Sequence, residues 1–384
     1  MAQIALLVET ALGSGREILR GISQYVHERQ DWEVFHASGS LGRMMPEVLD
    51  HWDGDGIIAR VHTPEMLAVL RAKKVPVVDV LGNYEDADLY CVRSDNRAIA
   101  RLVFEHFYER GFRSFAFLGL EGERWSDERC VAYEEFAMQQ ECFFAVRKVS
   151  HDFRQQHSWN HYRTELVKWM EQLPKPVGLF VCSDQFAPDL ASSCSVARIR
   201  IPDEVAMVGV DNDPAFCEVI QPSLSSVDAN HAEVGYVAAA FLGRILQGQE
   251  QRTSEHRVQP TGVVTRQSSD AFAITDEGIR KALLLIREHA CEGISVDHIA
   301  QHAGYSRSVL QRRFRSLLGR TVHDAILATK LARAKELLVL TRLPLLEVAV
   351  RSGFNYQEYL NHVFKDRIGM TPGEYRKRFS NQRH

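Results

Sequence analysis

The feature that most limits what this chain can fold into is a degenerate repeat near its C-terminus, with a period of about 49 residues. Ile299-Ala300-Gln301-His302-Ala303-Gly304-Tyr305 returns as Val348-Ala349-Val350-Arg351-Ser352-Gly353-Phe354, and Phe314…Gly319-Arg320-Thr321 returns as Phe364…Gly369-Met370-Thr371. Such a period points to two copies of one supersecondary unit. In each copy a short apolar-periodic helix stops at a glycine, which takes positive φ without steric cost. A second helix then starts after a polar residue and closes on a phenylalanine, the pattern of a helix-turn-helix.

The second helices carry polar side chains on the face that a core does not claim. In Ser306 to Arg315, Val309, Leu310 and Phe314 fall at helical spacing and face inward, leaving Arg307, Ser308, Gln311, Arg312 and Arg315 outward. In Asn355 to Lys365, Leu360, Val363 and Phe364 face inward, leaving Gln357, Asn361, His362 and Lys365. Those residue types reach base edges and phosphates in a major groove. Between the copies, Ile326, Leu327, Leu331, Ala334, Leu337 and Leu338 predict one long amphipathic helix over 322–340. The two units span about 295–318 and 344–366.

At these residues the chain resembles the AraC-type DNA-binding domain. The signature of that family is matched by Val363-Phe364-Lys365…Gly369-Met370-Thr371-Pro372…Tyr375-Arg376, within about 100 residues at the family's spacing. Charge agrees with a split chain. Residues 276–384 carry 19 Lys and Arg against 11 Asp and Glu, whereas 1–275 carry 27 against 39. A basic module suits phosphate contacts, and an acidic remainder limits unspecific adhesion to nucleic acid.

Residues 1–270 alternate short apolar runs with amphipathic stretches. Ile4–Val8, Gly56–Ala59, Val75–Val80, Ser114–Leu118, Val177–Cys182 and Val205–Val210 read as buried parallel strands, with helices over Glu17–Glu28, Asn96–Arg110, Ser126–Gln140 and His231–Leu246. This is the rhythm of a doubly wound α/β fold, which binds ligands at the carboxyl ends of its strands. The first candidates are therefore Glu9 to Arg16, Leu120 to Arg129, Ser183 to Gln185 and Asp211 to Asp213. Asp184, Asp211 and Asn212 supply acceptors and an amide, Arg16 and Arg129 supply donor forks, and Trp125 and Phe216 supply flat faces for a sugar ring. Each of these residues alone reads equally well as a cap, a turn or a surface charge.

A second resemblance covers almost all of 1–270. Ser94-Asp95-Asn96…Glu105-His106-Phe107, Gly111 to Gly119, Val181 to Ala187 and Ile201 to Asn212 look like the ligand-binding core of LacI-type regulators and periplasmic sugar-binding proteins. That resemblance implies two subdomains closing on a sugar, one about 3–117 plus 228–250 and the other about 119–224 plus 257–270. It places Asp95, Arg129, Asp184, Asp211 and Asn212 at the ligand, and Glu9, Arg16 and Trp125, read from the strand ends, join them as ligand-binding candidates. The expected architecture is an α/β two-subdomain, periplasmic-binding-protein-like sensor over 1–270 and an all-α double helix-turn-helix domain over 271–384. A LacI-like core with its reader at the C-terminus is similar to bacterial xylose-operon regulators, including Arg124-Trp125…Glu128-Arg129 and the junction Val264 to Asp270. It implies a DNA-binding activator that answers a pentose such as D-xylose, with operator DNA, RNA polymerase and a second copy of the chain as partners. One departure is the first cleft loop, Thr10 to Gly15, which is poor in amides and acids.

Other signals are weaker. The seven cysteines form no C-x-x-C pair and read as reduced thiols, the N-terminus has no basic stretch before Glu9, and no apolar run spans a bilayer, so a cytoplasmic protein without metal or cofactor is expected. Gly13-Ser14-Gly15 lacks the third glycine of a dinucleotide fingerprint, which would fall at Ile18. His298 and His302 have no third ligand near them in sequence, and Gly39-Ser40-Leu41-Gly42 is not a nucleophile elbow. Two alternatives stay open: an enzyme using Asp184 and Asp211 as acid and base on a sugar, and a DNA binder that ignores small ligands.

Overall fold

A computed structural model describes residues 1–37, 49, 51–84, 89–150, 159–249, 255–274 and 276–379. The Gly39 to Gly42 stretch lies outside them. The chain divides into two compact units, one of residues 1–107 and 113–271 and the other of 108–112 and 272–384. Sequence patterning had no signal for the short return of 108–112.

The first unit holds two six-stranded sheets. The first sheet joins β1 (Ala2–Leu7), β2 (Trp32–His36), β3 (Gly56–Ala59), β4 (Val77–Asp79), β5 (Tyr90–Ser94) and β11 (Glu255–Val258), in the order β11-β5-β4-β3-β1-β2 and all parallel. The second joins β6 (Ser114–Leu120), β7 (Phe143–Val149), β8 (Val177–Val181), β9 (Val205–Val210), β10 (Ser225–Asp228) and β12 (Gly262–Val264), in the order β12-β10-β9-β8-β6-β7. Only the β10 to β12 pairing is antiparallel. The central strands are continuous apolar runs because helices cover both faces, which is why they were legible. The edge strands β2 and β7 mix exposed and buried positions and carried no such signal.

Helices α1 (Gly13–Arg29) and α8 (His231–Leu246) pack on the first sheet. A Cβ at Gly21 would lie 1.8 Å from the Ala232 carbonyl and one at Gly235 1.9 Å from the Ile18 carbonyl, so glycine lets the two backbones meet. Helix α2 (Pro64–Ala72) covers the other face with Met66, Leu67 and Leu70. On the second sheet, α3 (Asn96–Tyr108) and α4 (Arg124–Gln139) bring Phe104 and Tyr133 against Phe115, with ring centroids 5.1 and 5.8 Å away. The expected subdomain boundary is therefore corrected: α3 packs with the second sheet, and β11 belongs to the first. Helices α5 (Trp159–Gln172) and α6 (Ala187–Ala197) complete the second lobe, and the four-residue α7 (Pro214–Cys217) follows β9.

The chain passes between the lobes at 94–96, 228–231 and 258–262. Hydrogen bonds cross-tie these passages: Asp95 N to the Val258 carbonyl at 2.8 Å, Gln259 to Asp95 at 2.8 Å, and Asn230 to the Gln259 carbonyl at 3.2 Å.

The second unit is helical: α9 (Glu277–His289), α10 (Val296–Ala303), α11 (Arg307–Leu318), α12 (Val322–Leu340), α13 (Leu345–Arg351), α14 (Gln357–Ile368) and α15 (Pro372–Phe379). Ser295 and Ser306 cap α10 and α11 through their side chains, and Thr321 with Asp324 forms a capping box on α12. Gly304, Gly319, Gly353 and Gly369 all have φ between 70° and 81° at helix ends. Two separate cores result, one from Ile279 to Ile326 around Phe314 and the other from Leu327 to Tyr375 around Phe364. Helix α12 feeds both, with Val322, Ala325 and Ile326 in the first and Leu331, Ala334 and Leu338 in the second. The single apolar stripe expected for it is thus replaced by two.

Candidate functional site

A cleft of about 710 Å³, counted to its open mouth, lies between the lobes of the first unit, where the strands of both sheets end. Leu12, Ile18, Val80, Leu81, Leu120 and Trp125 give it apolar walls, and Ser14, Arg60, Arg93, Ser94, Asn96, Glu123, Arg129, Ser183, Gln185, Asp211 and His231 give it polar ones.

Asp211 and Arg129 organise the polar wall. The turn after β9 holds Asp211 at φ 106° and Asn212 at φ 52°, conformations that non-glycine residues adopt only when their surroundings hold them there. Oδ2 of Asp211 accepts from the Ser183 hydroxyl at 2.9 Å, and Oδ1 faces Nε2 of His231, at the start of α8, at 2.9 Å. Burial pushes Asp211 up, but the hydrogen bond and charge of His231, with Arg129 and Ser183, bring it below the ordinary carboxylate value. The carboxylate is therefore ionised, and Nε2 of His231 is the donor.

Arg129 is buried on α4. Its Nε donates to Asn96 at 2.9 Å, its Nη1 to the Cys182 carbonyl at 2.6 Å, and its guanidinium lies 4.9 Å from the Trp125 ring centroid. Burial lowers its pKa from the usual value, against the opposing pull of Asp211. These bonds, made by Nε and Nη1, fix the guanidinium plane. Trp125 is tied by its indole N–H to Glu123 at 2.7 Å.

The other two arginines of the cleft are paired within the protein. Arg60 bonds Glu9 and, at 3.0 Å, Ser14, while Arg93 bonds Glu128 and Glu255. One oxygen of Glu9, Oε2, is buried without a partner, as is Nε of Arg60.

Of the sequence-derived ligand candidates, Trp125, Arg129 and Asp211 line the cleft together, and the other five stand elsewhere. Glu9 lies behind Arg60. Arg16 is half-exposed and bonds the Thr10 and Ala11 carbonyls at 2.8 and 3.1 Å. Asp95 caps the first turn of α3 through the Ala98 amide at 2.9 Å and sits in the lobe crossing. Asn212 accepts from Arg266 at 2.8 Å. Asp184 is 1% exposed and turned beneath β9: Ser226 donates to it at 2.8 Å, Asp213 N at 3.0 Å and Cys217 at 3.5 Å. A Cβ at Gly209 would lie 2.0 Å from its Oδ1, so glycine admits the carboxyl there. Burial and the charge of Asp211 raise the Asp184 pKa well above the ordinary value. Asp184 cannot act with Asp211 as an acid and base pair on a substrate, because it does not reach the cleft.

Sequence reasoning missed Arg60, Arg93, Asn96 and His231, whereas Ser183 stood in the candidate stretch after its strand and does line the cleft. Arg60 follows a legible strand, so the strand-end rule could have found it as well. Asn96 and His231 open helices, where their types read as ordinary helix starts.

In the second unit, α11 exposes Arg307, Ser308, Gln311, Arg312 and Arg315 on one side, as the spacing predicted, while Leu310 and Phe314 are fully buried. Arg307 pairs with the exposed Asp297 at 3.1 Å. Val309, expected inward, is half-exposed. Helix α14 exposes His362 and Lys365, whereas Gln357 and Asn361 are half-buried, and Asn361 Oδ1 is buried without a partner. Tyr356 and Tyr359 add 68% and 46% exposed rings at the start of this helix, flat faces that the helical spacing alone did not single out. Arg313 turns away to Asp276, at 2.5 Å, over the Tyr305 ring.

Three families of known domains match in chain order. Residues 3–96 match the XylR N-terminal domain, 104–269 a periplasmic binding protein-like domain, and 299–378 a helix-turn-helix domain. The chain is 31% identical to the xylose operon regulatory protein of Escherichia coli K12, over 97% of its own length and 96% of the relative's. It is 30% identical to the protein of the same name in Haemophilus influenzae, over 97% and 98%.

This chain belongs to the xylose-operon regulator family.

A solved structure of a xylose-binding transcription activator xylR covers 99% of the chain and 98% of that protein, with TM-score 0.62 and 30% identity. Like the other members of the xylose-operon regulator family, this one is a sugar-responsive transcription regulator with a helix-turn-helix DNA-binding domain, not an enzyme. Among the described residues no helix is long and apolar enough to cross a membrane.

Proposed function

We propose that the cleft holds one neutral monosaccharide, a pentose of the D-xylose class, and that its closure changes how the reading helices are presented to operator DNA. The observation that carries this reading is the Asp211, Ser183, His231, Arg129 and Asn96 cluster beside the Trp125 ring. Asp211 supplies ionised acceptors and Arg129 a fixed donor fork, the pair needed to bind vicinal hydroxyls, while the indole offers a face for ring C–H groups. A neutral ligand fits better than a sugar phosphate, because Arg60 and Arg93 are already paired with carboxylates. Glu9, Arg16, Asp95, Asp184 and Asn212 act on the ligand through the loops and crossings that they hold.

The sugar shifts the active arrangement only by its preference for the closed lobes. Two protomers bound to one operator, Gln311 and Arg312 reading one major groove, and Gln357, Asn361 and His362 reading the next, about 34 Å along the duplex, complete the reading. Lys365, Arg307, Ser308 and Arg315 hold phosphates, and RNA polymerase is recruited in the cytoplasm to start a xylose-utilisation operon.

Calorimetry with D-xylose, D-ribose and D-glucose on the full chain, beside DNA binding and reporter output, tests this. The expected result is 1:1 binding of D-xylose and a reporter that answers it. Absence of binding by all three sugars removes the cleft as the sensor.

A further inference from the structure

Helix α1 opens on the cleft without a side-chain cap: Leu12 stands at its N-cap, and its first turn has no acidic residue. A 17-residue helix with bare amides at its start carries a concentrated positive potential there. The missing acceptor comes from the other lobe. Oδ2 of Asp213, two residues past Asp211, accepts from the Gly13 amide at 3.1 Å, and Nη2 of Arg16 stands 3.5 Å from the same oxygen. The two chain positions are 200 residues apart.

Asp213 is set for this by its own lobe. Its amide donates to Asp184 Oδ2 at 3.0 Å, and its Oδ1 accepts from the Ala215 amide at 3.0 Å, which leaves Oδ2 aimed across the cleft mouth. The residue is 6% exposed, so water competes little for its carboxylate. On the α1 side the fit depends on glycine: a Cβ at Gly13 would lie 2.5 Å from Oδ2 of Asp213. Neither Gly13 nor Asp213 lines the cleft.

We propose that Asp213 is an interlobe latch, a carboxylate that caps α1 only when the lobes are closed and so sets sugar affinity without touching the sugar. This rests on the reading that a sugar closes the cleft. Opening the lobes separates Oδ2 from the Gly13 amide and leaves the start of α1 uncapped, so the latch raises the closed fraction. Apparent affinity scales with that fraction. The buried Asp184 acts in the same device as a positioning residue, because it fixes the backbone from which Asp213 reaches over.

The experiment uses the full chain as Asp213→Ala, Gly13→Ala and the double variant, with calorimetry against D-xylose. Each single variant is expected to bind about tenfold more weakly, on the scale of one charge-assisted cap, and the double variant no more weakly than either, because both break one contact. Unchanged affinity in the single variants, or losses that multiply in the double, overturns the latch. A second arm needs no sugar. Hydrogen exchange of amides 13–16 is expected to quicken in both single variants while that of β10 stays as in the parent; unaltered exchange at α1 also overturns the latch. If the parent binds no D-xylose, the cleft reading fails, and the exchange arm alone decides the latch.

Discussion

In the cleft, Arg129 is 5% exposed and held by Asn96, 33 residues away, and by Cys182, 53 residues away. On the first reading helix, Arg307, Arg312 and Arg315 lie within nine residues of one another and are all exposed. The same side chain is thus used in two ways. The cleft guanidinium is desolvated and fixed by long-range bonds. Those of the helix are left solvated, the condition in which net charge and salt govern contact with a phosphate. The difference teaches that the reader's chemistry is local and additive, whereas the cleft's is collective.

If that contrast holds, the largest effects come from what fixes each surface. Phe364→Ala removes a fully buried ring packed 5.3 Å from Tyr375 and is expected to cost about 3–5 kcal/mol. Hydrogen exchange should then quicken in α14 and α15 while the core around Phe314 keeps its protection; equal loss in both halves would merge the two cores into one.

The next effect is on pH. Burial raises Asp79 from 3.8 to about 6, against the Leu81, Val61 and Gly82 amides that bond its carboxylate. Between those values the native state keeps a proton that the unfolded chain has released, so this group's contribution to stability declines as pH rises from about 4 to about 6. Denaturant unfolding of Asp79→Asn should lack that decline, a difference on the order of 3 kcal/mol between the ends of the window. A parallel pH dependence in both proteins refutes it.

Within the cleft, Arg129→Ala and Asp211→Ala should each weaken D-xylose binding by about 100-fold in calorimetry, because each leaves a buried partner unpaired. Basal DNA affinity should stay near the parent's. Variants that still bind and answer the sugar like the parent would end the contrast.

On the reader the effects are smaller and separable. Gln311→Ala should relax preference at one or two base pairs, by about 1–3 kcal/mol. Lys365→Ala should weaken all sequences alike and reduce the slope of log affinity against log salt by about one. Competition assays over an operator library separate the two, and uniform weakening by Gln311→Ala would make it a backbone contact.

The helix-turn-helix units and the central strands were fixed by local pattern. Leu310, Phe314, Leu360 and Phe364 recur at helical spacing, Gly304, Gly319 and Gly369 end their helices at positive φ, and β3, β8 and β9 are unbroken apolar runs buried on both faces. Such signals survive in one sequence because each depends on neighbours within a few residues. The strand-end rule likewise found Trp125, Arg129 and Asp211. Tertiary structure alone decided the rest. Asp184 and Asp211 both follow strands, yet only Asp211 meets the cleft, because Gly209 and Ser226 on the neighbouring strands draw Asp184 beneath the sheet. Asn96 and His231 gain their roles from Arg129 and Asp211, and Asp213 gains its role from Gly13, partners that chain spacing does not encode. A lone polar side chain has the same sequence signature whether it caps its own helix, bonds a ligand or latches another lobe; its partner sets the chemistry, and the fold chooses the partner.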